Sequence, residues 1–112
     1  MNKLEKNMFT TIVLVIFLLS IIFDFTVTFT VYKINPLLFV NGEMNKELVG
    51  FLTNSQFPLA NLLVHLLFLL GLLLSHYYYN KNKYTKMFYL VFVSSSLVFS
   101  GIHFAGGMSW LV

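Results

Sequence analysis

The sequence predicts an all-α integral membrane protein with three transmembrane helices and a short interfacial segment between the first two. Of its 112 residues, 58% are hydrophobic and only 10% are charged, whereas a soluble domain carries roughly a quarter charged residues. The charges are also unevenly spaced. Residues 8–32, 48–80 and 87–112 contain no Asp, Glu, Lys or Arg apart from Asp24, and each stretch exceeds the about 20 residues that a span needs.

The first helix is predicted at residues 8–32. The N-terminus has the charged start and apolar run of a signal peptide, but no small-residue cleavage site follows, and the apolar pattern continues through DFTVTFTVY. We therefore expect an uncleaved first span. Between it and the second helix, Pro36 and Gly42 interrupt apolar pieces that are too short to cross a bilayer, which predicts the interfacial segment.

The second and third helices are predicted at residues 57–76 and 87–108, so that residues 1–112 form a single transmembrane domain. Two lysines precede the first helix and three lie at residues 81–86, between the second and third. Because lysine is enriched in cytoplasmic loops, we expect a multi-pass protein of the cell membrane with its N-terminus in the cytoplasm and its C-terminus outside.

The composition excludes several classes of site and partner. Cysteine is absent, so disulfides, iron–sulfur clusters and thiolate metal sites are ruled out. There is no arginine and no basic run that could follow a nucleic-acid backbone. The expected partners are the lipid bilayer, a second copy of the chain or another membrane protein.

Asp24 raises the question of function, because a carboxylate inside a span is costly unless it has a partner. Helical rise places Asp24 and His65 about 12 Å from the same membrane face, and His103 about 8 Å from it. Residues three or four apart share a helix face, which adds further polar groups to the same level. The predicted cluster comprises Asp24, Thr28, Asn61, His65, Ser100 and His103, with Ser96 one turn before Ser100.

The first hypothesis is that the protein binds a partner, ion or ligand at this cluster, as an accessory or immunity protein would, with Asp24, His65 and His103 central. A second is a metal-dependent intramembrane hydrolase. The same three residues are ligands that Zn accepts, with a fourth position open for water or substrate, and Ser100 or Asn61 would orient the substrate.

Four other interpretations stay open at this stage. The polar residues could simply join the helices by hydrogen bonds. A haem could be held between His65 and His103. The ionisable groups could form a proton or ion pathway in an oligomer. Finally, Ser100 could act as a nucleophile with a histidine, although VFSGIHF lacks the Gly-x-Ser-x-Gly turn.

The stretch DFTVTFTVYKINPLL contains Asp24, Thr28, Asn35 and Pro36. It resembles the first-helix signature of a family of small, uncharacterised prokaryotic integral membrane proteins, in which an Asp, a Thr one turn later and an Asn-Pro follow one another. Ile34 stands where that signature has Glu. The resemblance implies a multi-helix membrane fold and no particular activity.

Overall fold

The computed structural model describes all 112 residues and contains five helices and no strand, which confirms the all-α prediction. Three helices are long and apolar enough to cross a membrane, as expected of a multi-pass membrane protein. The five helices are α1 (Lys3–Ile34), α2 (Pro36–Gly42), α3 (Lys46–Asn54), α4 (Leu59–Tyr77) and α5 (Lys83–Ser109).

The long helices α1 and α5 begin four or five residues before their predicted starts because capping boxes extend them into polar sequence. The Asn2 side chain accepts from the backbone of Glu5, whose own side chain bonds back to Asn2. Asn82 and Thr85 make the same reciprocal pair at the start of α5. The apolar residues of the sequence predict only the part of each helix that lies in the hydrocarbon core of the bilayer. The capping residues determine where the helix begins.

The predicted interfacial segment forms two short helices. Asn35 caps α2, with Pro36 at its first position, where the missing N–H costs nothing. Asn45 caps α3 in the same way, and Ser55 ends α3 in the left-handed conformation. Each of these helices is too short to cross a bilayer.

Helix α5 packs against both α1 and α4. The buried core on one half of the bundle comprises Val13, Leu72, Tyr89 and Val93. At the other end Phe39 of α2 is fully buried, and its ring contacts Tyr32 and Trp110. The short helices α2 and α3 therefore cover the end of the bundle where α1 finishes and α4 begins, which we call the covered end.

Candidate functional site

Asp24, His103 and His65 form a hydrogen-bonded triad that joins the three long helices near the covered end. Asp24 Oδ2 lies 2.7 Å from His103 Nδ1, and the Nε2 atoms of His103 and His65 are 3.0 Å apart. His65 Nδ1 contacts the backbone carbonyl of Asn61, one turn earlier on α4. The three groups thus lie in series, with His103 in the middle.

The acceptors at the ends of this series fix how many protons it holds. Because a carbonyl only accepts, His65 Nδ1 carries a hydrogen. One hydrogen must also lie between the two Nε2 atoms. If all of these hydrogen bonds are made, the triad holds one proton more than an aspartate and two neutral imidazoles would. That proton lies on Asp24, on His103 as an imidazolium, or on His65 as an imidazolium. The triad is neutral as a unit in each case.

Two glycines of α5 let α1 approach at Asp24. A methyl group at Gly107 would lie 2.6 Å from the ring of Phe23 and 3.2 Å from the Asp24 Cα, and one at Gly106 would lie 3.2 Å from Asp24 Oδ1. Small residues at such crossings allow close packing of membrane helices. The pair of glycines therefore places the Asp24 carboxylate within reach of His103, three residues before Gly106.

Asn61 connects the triad to the short helix α3. Its side-chain amide exchanges two hydrogen bonds with Asn45, at 2.8 and 3.2 Å, and its backbone N–H donates to Glu47 at 3.1 Å. Its carbonyl accepts from His65. One residue thus orients a triad histidine and fastens α3 over the start of α4.

A cleft of about 610 Å³ opens beside the triad at the covered end, and all three triad residues line it. The remaining walls come from α3 and its N-terminal loop, from α4, and from the last turns of α5. Its other polar and aromatic lining residues are Glu43, Asn45, Glu47, Asn61, Phe99, Ser109 and Trp110.

The net charge of the residues that line the cleft is negative. Glu43 and Glu47 contribute carboxylates, the triad that contains Asp24 is neutral as a unit, and no lysine is among the lining residues. The contact between Asp24 and His103 is the only one in the molecule with the geometry of an ion pair. Lys46, near the mouth, donates to the backbone carbonyl of Glu43. The cleft therefore favours a positively charged occupant.

The other predicted cluster residues differ in their relation to the triad. Thr28 is buried and its hydroxyl donates to Asp24 Oδ1 at 3.4 Å. Ser100 is buried and donates to the carbonyl of Ser96 at 2.8 Å, and the Ser96 hydroxyl has no partner. Neither serine lines the cleft, so the idea of Ser100 as a nucleophile or substrate-orienting group lacks the necessary geometry.

The distances also bear on the predicted metal and haem sites. Asp24 and His65 contact opposite nitrogens of His103, so the three side chains do not converge on one ion, and no group of three or more potential ligands is arranged to hold a metal. The 3.0 Å between the Nε2 atoms leaves no space for an iron and its macrocycle. A haem would require α4 and α5 to separate.

A second polar cluster at the opposite end of the bundle was not anticipated from the sequence. Lys6 is buried, and its ammonium donates to the backbone carbonyl of His76 at 3.1 Å. Thr10 lies 2.7 Å from both His76 Nδ1 and the hydroxyl of Tyr89. The spacing of Lys6 and Thr10, one turn apart, was the available signal. His76 thus helps to join α1, α4 and α5.

Comparison of the chain with protein-family models, with curated proteins and with solved structures finds no match.

Proposed function

We propose that this membrane protein binds a small, positively charged ligand in the cleft, with the Asp24–His103–His65 triad as its principal polar contact. The supporting observation is the charge of the cleft: the carboxylates of Glu43 and Glu47, no lysine, and a triad that is neutral as a unit. A cationic ligand would be attracted by the carboxylates of the cleft, and its N–H groups could donate a hydrogen bond to the Asp24 carboxyl group of the triad.

The cleft also has the form of a ligand site. Its volume of about 610 Å³ lies within the roughly 300–1,000 Å³ of small-molecule pockets. Phe99 and Trp110 add aromatic surface to its wall, and the faces of such rings attract organic cations. Apolar walls with a few convergent polar groups are typical of binding sites.

Trp110 provides the test, because it is the only tryptophan in the chain and lines the cleft. Detergent-purified protein is titrated with butylammonium and, separately, with butyrate, which has a similar chain and the opposite charge. We expect a saturable change of Trp110 fluorescence with butylammonium alone. An equal response to butyrate, or no saturable response to either, would rule out the proposal.

Metal binding is a second candidate, in a form that differs from the three-ligand site. Each histidine has Nδ1 engaged by an acceptor, and the two Nε2 atoms face each other. Histidine ligands of metals commonly make such an outer contact through the second nitrogen. Two nitrogens on one tetrahedral zinc lie roughly 3.3 Å apart, so a small opening would admit an ion that keeps open positions for water and for hydrolysis.

Elemental analysis distinguishes this candidate from the three-ligand site. If the two Nε2 atoms bind a metal, His65→Ala and His103→Ala lose it, whereas Asp24→Asn retains it with affinity lower by about 10- to 100-fold, as for other outer contacts. Complete loss in Asp24→Asn as well would favour Asp24 as a direct ligand. Wild-type protein without metal after exposure to Zn²⁺ would eliminate both.

The lysine distribution supports an N-terminus in the cytoplasm, and the triad would then lie in the outer half of the bilayer. Because the chain has no cysteine, single cysteines report this directly. Ser109→Cys should react with a membrane-impermeant maleimide added to intact cells, and Lys81→Cys should react only after lysis. The reverse pattern would invert the orientation.

A further inference from the structure

The triad can be reached from a second direction, through an apolar groove of about 330 Å³ between α1, α3 and α4. The groove and the cleft meet at the triad. Six residues line both: Asp24, Leu48, Asn45, Asn61, His65 and His103.

The far wall of the groove consists of side chains suited to a hydrocarbon chain. Ile21 and Phe25 come from α1, Phe51 from α3, and Pro58 and Leu62 from the start of α4. Phe25, Phe51 and Leu62 are exposed. Since α1 and α4 are both long and apolar enough to cross a membrane, this exposed wall would face the acyl chains of a bilayer.

We infer that the ligand is an amphipathic molecule that enters from the bilayer, with a positively charged head at the triad and one apolar chain in the groove. This inference rests on the proposed function, and it adds the class of ligand and its route. The charge of the head follows from Glu43 and Glu47, which line the cleft beside the triad, and from the absence of lysine among the lining residues of the cleft. An anionic head in the cleft would be repelled by the carboxylates of Glu43 and Glu47 and would find no lysine to pair with.

The groove is large enough for one hydrocarbon chain. A volume of about 330 Å³ is near the lower limit of roughly 300 Å³ for ligand pockets, which suits one flexible chain better than a helix of a partner protein. The continuity of groove and cleft lets one molecule occupy both, so that its head and chain are recognised by different residues.

A pair of photoreactive probes tests the inference on the full chain in phosphatidylcholine nanodiscs. The first is a twelve-carbon alkylamine with a diazirine at mid-chain, and the second has the same chain with a sulfate head. Crosslinked residues are mapped by mass spectrometry. We expect the amine to label the groove wall at Ile21, Phe25, Phe51 or Leu62, and excess butylammonium, which competes for the head position, to reduce that labelling.

Leu62→Trp and Leu63→Trp form a matched pair of variants. Leu62 lines the groove, whereas its neighbour Leu63 is exposed and lies outside it. A bulky side chain in the space that a ligand must occupy should exclude it, so we expect roughly tenfold less labelling in Leu62→Trp and an unchanged yield in Leu63→Trp. Melting temperatures verify that both variants are folded.

Three results would overturn the inference: equal groove labelling by the sulfate probe, labelling spread evenly over the lipid-facing helices, or undiminished labelling in a folded Leu62→Trp. The comparison of the two head groups in wild-type protein requires no variant, and it decides the matter even if Leu62→Trp fails to fold. Saturable butylammonium binding without groove labelling would refute the amphipathic ligand alone, whereas the absence of both would refute the proposed function too.

Discussion

His65 and His103 present their Nε2 atoms to each other at 3.0 Å, while Nδ1 of each ring is held by a different acceptor. Two bare nitrogens at this distance would repel each other, so the pair needs a hydrogen or another cation between its rings. The Asp24 carboxylate supplies the compensating charge. The hydrogen that joins the two rings lies at the wall of the cleft, because His65 and His103 both line it.

The carboxylates at the cleft mouth should contribute to ligand binding through charge. Glu47→Gln keeps an oxygen that can accept from the Asn61 N–H but removes the negative charge. For a partly exposed group we expect about fivefold weaker binding of butylammonium (~1 kcal/mol), measured by Trp110 fluorescence. Glu5→Gln, at the distant N-terminus, is the control. Equal affinities in the two variants would contradict the electrostatic argument.

Gly71 should be required for the packing of α4 on α5. A methyl group there would overlap the ring of Phe92, whereas one at Gly101 would meet no neighbouring atom. Gly71→Ala should therefore lower the free energy of unfolding by about 1–3 kcal/mol, and Gly101→Ala should raise it by up to about 1 kcal/mol through helix propensity. Thermal unfolding in one detergent measures both, and a neutral Gly71→Ala would show that the helices are packed differently.

Asn61 should hold α3 in place without being needed as a side chain in the triad. Asn61→Ala removes both amide bonds to Asn45, but residue 61 retains the carbonyl that accepts from His65. We expect faster hydrogen exchange at residues 46–54 than in wild type. Asn41→Ala, which changes an exposed asparagine near the covered end, should leave that exchange unchanged. Unaltered exchange in Asn61→Ala would mean that other contacts hold α3.

Ser100 should have no part in ligand binding. It is buried, donates within its own helix and lies outside the cleft. Ser100→Ala is therefore expected to bind butylammonium as wild type does and to change stability by no more than about 1.5 kcal/mol, the usual net worth of one hydrogen bond. Loss of binding in a folded Ser100→Ala would restore this serine as a functional candidate.

The sequence predicted most of the membrane architecture because composition and the spacing of charges suffice to find apolar helices. It also predicted that Asp24, His65 and His103 share a depth, since helical rise converts residue number into distance along the membrane normal. Rotation about each helix axis is not given by depth. For that reason Ser96 and Ser100, at a suitable depth, proved to lie away from the cleft.

The walls of the cleft depend on contacts that a single sequence does not reveal. Glu43 lines the cleft because Asn45 and Asn61 hold the α3 region against α4. The order of the triad is another case. The orientation of the His103 ring decides which of its nitrogens faces Asp24. In the observed orientation Asp24 and His65 contact opposite nitrogens, so the three residues form a hydrogen-bonded series and not a metal site with three ligands.

The affinity of Asp24→Asn for butylammonium, relative to wild type and to Glu5→Gln, tests the central claim most directly. Asparagine can still accept a hydrogen bond from His103 but cannot take up the shared proton or supply the negative charge. The account predicts binding at least roughly tenfold weaker in Asp24→Asn and unchanged in Glu5→Gln. Equal affinity in all three proteins would contradict the account and leave the triad as a purely structural contact between helices.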